Sequence, residues 1–238
     1  RYVGYDVDFG PFAESSINML AGDMKICVGI FTFLSAYGIA FSYLNKKDAM
    51  TREGIEHNIL RRYLKLISGF VVVYIALCIA YAIIDFDGLV NRFGKNMSSV
   101  VFVIVDMLGL SQIFHTPPLI QTFWYMSLAV IIIFIMPLLI YIYKKFGALV
   151  LLGVSVVFAM LFPVHVKNAY DAGSHAFLPV YIICVVFGIL AADKKWFEAL
   201  SNALSRCSMV KKVLIFLCYL VLLYVTLHVR REVKSMGL

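Results

Sequence analysis

Residues 122–145 read TFWYMSLAVIIIFIMPLLIYIYKK, an uncharged run closed by Lys144 and Lys145. At ~1.5 Å of rise per residue it is long enough to cross a hydrocarbon core of ~30 Å as one helix. Its aromatic residues suit the two interfaces, Trp124 at one end and Tyr141 and Tyr143 at the other. Working outward, segments of the same kind recur at 24–44, 66–84, 147–164, 176–192 and 213–229. These runs are apolar on every face, whereas a helix on a soluble core shows one apolar stripe. The 238-residue chain is 62 % hydrophobic and only 15 % charged, against about 25 % charged in a soluble domain. The expected fold is all-α, a polytopic transmembrane helical bundle of about six spans.

The charges orient these spans. Residues 45–65 carry Lys46, Lys47, Arg52, Arg61, Arg62 and Lys65 against Asp48, Glu53 and Glu56. An excess of Lys and Arg in a short connection places it in the cytoplasm. Residues 85–96 are mixed in sign and fall outside. Residues 98–114, SSVVFVIVDMLGLSQIF, are short for a span and contain Asp106, Ser111 and Gln112. A charge at the bilayer centre costs ~2.5–3.5 kcal/mol on insertion scales. A full crossing here would also put Lys144 and Lys145 outside, so 98–114 reads as a re-entrant or short segment. Residues 162–177 then lie outside and 193–195 inside. Residues 196–210 suit an amphipathic helix on the cytoplasmic face. The basic tail 229–238 falls outside, against the rule.

The net charge of +7 sits in these connections and signals no nucleic acid. Five cysteines, Cys27, Cys78, Cys184, Cys207 and Cys218, show neither metal-ligand nor disulfide spacing. The motifs of soluble enzymes, such as a phosphate-binding glycine loop, H-E-x-x-H or G-x-S-x-G, are absent.

Four fragments carry a resemblance. In 122–145, Trp124 is followed by Ser127 and then by Pro137-Leu138-Leu139. This resembles the helix that opens W-S-L-S-x-E and reaches Pro-Leu-Leu in the acyltransferase 3 family of integral-membrane O-acyltransferases. Ala129 occupies the position where many members have glutamate. Residues 31–38, FTFLSAYG, resemble the family's F-F-x-L-S-G-[FY] signature, with Ala36 where glycine is usual. Arg62 and Lys65 match its R-x-x-R motif, with lysine in the second place, and the end of 176–192 is similar to its "lGil" helix. The resemblance implies a single membrane-embedded domain over 1–238, seen without its first helix and its C-terminal helices. The catalytic histidine it implies is expected upstream of Arg1, so no residue is assigned that role here.

Two readings of the Arg61, Arg62 and Lys65 cluster stand side by side. They are orientation charges, or they hold the phosphates of acyl-CoA, for which guanidinium groups offer paired donors. Ser35, Tyr37, Asp106, His115, Trp124 and Ser127 are acceptor or channel candidates, because polar groups at membrane depth mark functional sites. Asp106 has the alternative of pairing with a lysine or capping a helix end. His57, His165, His175 and His228 read first as solvated or interfacial, although His165 and His175 flank the outer loop.

The resemblance implies transfer of an acyl group, most often acetyl, from cytoplasmic acyl-CoA to a hydroxyl of an extracytoplasmic glycan or cell-wall component. It implies a bacterial plasma (inner) membrane, acyl-CoA as co-substrate, no other cofactor and no metal. A rival reading is a transport or small-molecule-binding domain of the same fold, as in members fused to a racemase domain. Ala129 favours that rival.

Overall fold

The computed structural model describes residues 26–46, 48–94, 98–162 and 177–235. Among these residues the chain is all-helical. The helices are α1 (Ile26–Asn45), α2 (Arg52–Ile84), α3 (Phe86–Phe93), α4 (Ser98–Met107), α5 (Trp124–Leu161), α6 (Phe177–Asp193), α7 (Trp196–Ser205) and α8 (Met209–Ser235). A single 3₁₀ turn, Gln121–Phe123, leads into α5. The surface loop expected at 1–23, and His165 and His175 of the outer loop, lie outside the described residues. So does the end of the tail.

The polarity of the bundle is that of a membrane protein. Among the described residues, α1, α2 and α5 are long and apolar enough to cross a bilayer. Large apolar side chains cover their outsides, with Ile83 at 80 % and Leu149 at 85 % exposure. In water such a surface would aggregate; in lipid it is the matching face.

The chain forms two compact units, Val28–Lys194 and a second that holds Lys195 onward and the chain up to Cys27. In the second, α7 is an amphipathic ten-residue helix with no buried residue, stapled at its start by Lys195 and Glu198 at 3.4 Å. The expected last span, 213–229, lies within α8.

In the first unit, contacts fix the direction of each helix. A Cβ placed on Gly188 would meet the Phe33 carbonyl at 2.7 Å, Ala36 Cβ at 2.8 Å and Tyr37 N at 2.9 Å. Gly29 lies beside Cys184 further toward the start of both helices, so α1 and α6 run parallel in close contact. Trp124 stacks on Tyr181, with ring centres 6.1 Å apart, and Tyr143 donates to Asp193 Oδ2 at 2.8 Å. The first part of α5 is therefore parallel to α6 as well. Helix α2 opposes them, because Tyr63 meets Phe134 while Phe70 meets Phe123. The core between them holds Ala36, Ala40, Tyr43, Leu128, Ile132, Met136, Ile140, Val185 and Ile189.

Several boundaries differ from the sequence expectation. Residues 52–65 are not part of a connection but the first turns of α2, which runs unbroken into 66–84. Thr51 caps this start by accepting from Gly54 N at 3.1 Å, and Arg52 pairs with Glu56 at 3.1 Å. The charges had hidden a helix that Ile55 and Ile59 pack onto the core. Residues 85–96, expected as a loop, contain α3. Asp85 ends α2 and caps α3 by accepting from Gly88 N at 2.9 Å. The two runs 122–145 and 147–164 are joined as α5, with a kink at Gly147, whose φ of 85° suits glycine alone. At ~1.5 Å per residue an unkinked α5 would be about twice as long as a bilayer core is thick. Since α6 is parallel to the first part of α5, the chain between them returns to the end it came from.

The tight meeting of α1 and α6 yields a prediction. Gly188→Ala should destabilise the protein by about 1–3 kcal/mol, as overpacking does. Two of the three contacts are backbone atoms that cannot rotate away. Thermal unfolding in detergent would show a lowered midpoint.

Candidate functional site

Three helix faces converge near the start of α2. On α1, Ser35, Ile39 and Ser42 follow one another at helical spacing, and Lys46 lies just past its end. On α2, Asn58, Arg61, Arg62, Lys65 and Leu66 do the same, and on α5 so do Ala129, Ile132 and Ile133. Two cavities lie between these faces. The first, about 350 Å³, is lined by Ser35, Ile39, Arg62, Lys65, Leu66, Ala129, Ile132 and Ile133. The second, about 280 Å³, is lined by Ser42, Lys46, Asn58, Arg61, Arg62 and Lys65. Arg62 and Lys65 belong to both and form their common wall.

The two cavities differ in chemistry. The second gathers four cationic side chains and no acidic one. Among the described residues none of Lys46, Arg61, Arg62 and Lys65 is in an ion pair. Such a concentration of uncompensated cations favours a multiply charged anion. The first is apolar apart from its mouth. Arg62 is half-buried, and its Nη2 donates to the Gly38 carbonyl at 3.0 Å. Nothing lies within 4 Å of a Cβ built on Gly38, so the guanidinium reaches the backbone unobstructed. The buried Tyr43 ring packs nearby.

Of the candidates from the sequence, Ser35, Arg62 and Lys65 are thus brought together, with Ala129 beside them, and Arg61 joins through the second cavity. Tyr37 stacks along α1 on Phe41, with ring centres 5.9 Å apart. Trp124 stacks on Tyr181 and meets Tyr125 edge-on, and the Tyr125 hydroxyl lies 3.5 Å from Ser35 Oγ. His115 is exposed in a turn with φ 53°, whereas Asp106 is fully buried. His57 and Asp48 line a third cavity of about 390 Å³, which shares Lys46 and Asn58 with the cationic one.

Asp106 and Ser127 hold together the stretch 108–120. Helix α4 has ten residues, or ~15 Å, half a bilayer core. Since α2 and α5 are antiparallel, the connection between them starts and ends at the same end of the bundle. The chain beyond α4 is irregular, and side-chain partners add to the turn hydrogen bonds of its backbone. Tyr63 donates to the Leu108 carbonyl at 3.2 Å and Ser127 to the Gly109 carbonyl at 2.7 Å. Asp106 Oδ2 accepts from Leu119 N at 2.6 Å, and Arg92 donates to the Leu119 carbonyl. The peptide of Leu119 is thereby gripped on both sides. The second carboxylate oxygen is buried without a hydrogen bond, and the buried hydroxyls of Tyr74 and Ser111 neighbour the carboxylate.

Lys46, Ser42 and Asn58 were not singled out in the sequence as site residues. Lys46 counted there only as an orientation charge. The signal lay in the spacing of 58, 61, 62 and 65, which falls on one face once 52–65 is helical. Among the described residues no His, Cys, Asp and Glu cluster is arranged to hold a metal.

With this geometry in view, the class is that of a membrane acyltransferase. The acyltransferase 3 family, described as an acyltransferase domain, matches residues 2–232, and the chain belongs to it. No curated protein and no solved structure matches the chain.

The clamp on Leu119 can be tested. Asp106→Ala leaves the Leu119 amide buried and unpaired, which should cost about 1–3 kcal/mol. Asp106→Asn retains an acceptor oxygen and should cost less. The order of their unfolding midpoints in detergent checks this.

Proposed function

We propose that this protein is an O-acyltransferase that takes an acyl group, acetyl in the simplest case, from cytoplasmic acyl-CoA. The acceptor is a hydroxyl of an extracytoplasmic glycan or cell-wall component at a bacterial plasma membrane. One observation carries this reading: a cationic cavity and an apolar cavity share Arg62 and Lys65 as a wall. Acyl-CoA has the matching chemistry, a polyphosphate followed by the long pantetheine arm that carries the thioester. Arg61, Arg62, Lys65 and Lys46 would bind the phosphates, and the pantetheine arm would run past Arg62 along the apolar cavity toward Ser35. The acceptor oxygen then attacks the thioester carbon while a base takes its proton. The carbon–sulfur bond breaks, and coenzyme A leaves as the thiol. Trp124, Tyr125 and Tyr181 offer aromatic faces for an acceptor on the opposite side, and His115 lies in the same outer region.

A transport or binding role is the second reading, and Ala129 favours it, since no carboxylate lines the chamber. One experiment separates the two. The full-length protein in membranes is given radiolabelled acetyl-CoA, and coenzyme A release and label on extracytoplasmic glycan are followed. Turnover is expected, and Arg62→Ala should weaken use of acyl-CoA about 10- to 100-fold, the loss of one charge-assisted contact. Arg62→Lys should fall in between, because lysine is a point charge without the paired donors. Binding without turnover would support the second reading, and no binding would remove the first.

Orientation is checked separately. A cysteine at Gln112 is expected to react with an impermeant reagent from outside, and one at Lys145 only from inside.

A further inference from the structure

The three cavities adjoin one another in a fixed order. The third shares Lys46 and Asn58 with the cationic one, which in turn shares Arg62 and Lys65 with the apolar one. Among the described residues none lines both the third and the apolar cavity. The third is the largest, at about 390 Å³. Gly54 is among its walls, which brings the first turn of α2, the positive end of the helix dipole, to this cavity. Asn58 stands out on the wall between the third cavity and the cationic one. It is only 8 % exposed, yet among the described residues its side-chain amide makes no hydrogen bond. Buried polar groups are normally paired, and leaving one unpaired is costly. An amide aimed into two cavities is therefore ready for a partner that enters them.

We propose that the third cavity receives the adenosine end of the acyl-CoA and that Asn58 reads its adenine. The proposal rests on the acyl-CoA reading above and adds the residue that recognises the nucleotide. An asparagine amide offers an acceptor and donors side by side. The edge of adenine offers the complement, an amino group next to a ring nitrogen, and the two pair through two hydrogen bonds. A site built for phosphate alone would gain little from an uncharged amide buried among its cations. The parts of acyl-CoA follow one another as adenosine, diphosphate, pantetheine arm and thioester, and the third, cationic and apolar cavities follow in the same order. Asn58 thus lies where a base joined through ribose to the diphosphate falls. Lys46, common to both cavities, and His57 offer N–H donors to the phosphate on that ribose. Asp48 is the one acidic member of the third cavity, and its carboxylate can accept from an amino group but not from a phosphate.

The test uses the full-length protein in nanodiscs and measures direct binding of acetyl-CoA and of its etheno analogue, in which a two-carbon bridge ties up the amino group of adenine. The phosphates, the pantetheine arm and the thioester are the same in both. The wild type should bind acetyl-CoA about tenfold more tightly than the analogue, within the range of one two-bonded base contact. Asn58→Ala should bind the two alike, at about the affinity of the wild type for the analogue. Arg62→Ala should weaken both and keep the tenfold preference, because it acts on the phosphates. If the wild type binds both equally, or Asn58→Ala keeps the preference, the adenine assignment is wrong while the donor reading stands. If neither compound is bound by the wild type, both fall. The wild-type comparison needs no variant, so it decides the matter even where Asn58→Ala fails to fold.

Discussion

Inside a bilayer a peptide group has no water to bond with, so each one must find its partner within the protein. The long helices α1, α2 and α5 meet this demand with their own backbone. Residues 108–120 meet it only in part, through turn bonds such as Leu110 N to the Val105 carbonyl and Phe114 N to the Leu110 carbonyl, and side chains from the surrounding helices supply further partners. Tyr63 of α2, Ser127 of α5 and Asp106 of α4 each bond a backbone group of this stretch, and Arg92 of α3 adds a fourth. The same groups tie α2, α4 and α5 together, so the path of the half-crossing segment and the spacing of the long helices are one problem. Gly109 lies in this stretch with φ 70°, a backbone conformation that side chains rarely adopt.

That bracing has a consequence for the site. With α2 held against α5 by Tyr63 and the Phe70–Phe123 pair, its first turns present Arg61, Arg62 and Lys65 at the mouth of the space between α1, α2 and α5. The close approach of α1 to α6 at Gly188 holds the opposite wall. The cavities are therefore gaps between helices that are fixed elsewhere. Arg62, bonded to the Gly38 carbonyl, stands between a charged compartment and an apolar one, a place where charge and hydrocarbon are both accommodated without mixing.

Ala129 shows how one position changes such a compartment. A glutamate there, as many family members have, would face Arg62 and Lys65 across the chamber and make it polar. Alanine leaves the wall to isoleucines. The change is chemically large because Ala129 stands beside Ile132 and Ile133 on a buried wall, where a carboxylate must be paired to be tolerated.

Much of this was legible in the chain itself. Apolar runs too long and too uniform for a soluble core determined the membrane class and the all-helical fold, since hydrocarbon allows few other spanning structures. Asp106, Ser111 and Gln112 marked 98–114 as short and polar for a span, and its helix is indeed only ten residues long. The ordered fragments around Trp124, Ser35 and Arg62 pointed to the family. Other features depended on tertiary contacts. Charge density made 52–65 look like a connection, although Thr51 caps a helix there and Ile55 and Ile59 bury against the core. Asp106 carried two meanings in the sequence, and only the position of Leu119 turned it into a clamp. The meeting of Ser35, Lys46, Arg62, Lys65 and Ala129 around two adjoining cavities arises from residues far apart in the chain. No local pattern encodes it, because it follows from the packing of α1, α2 and α5 and the directions in which their faces point.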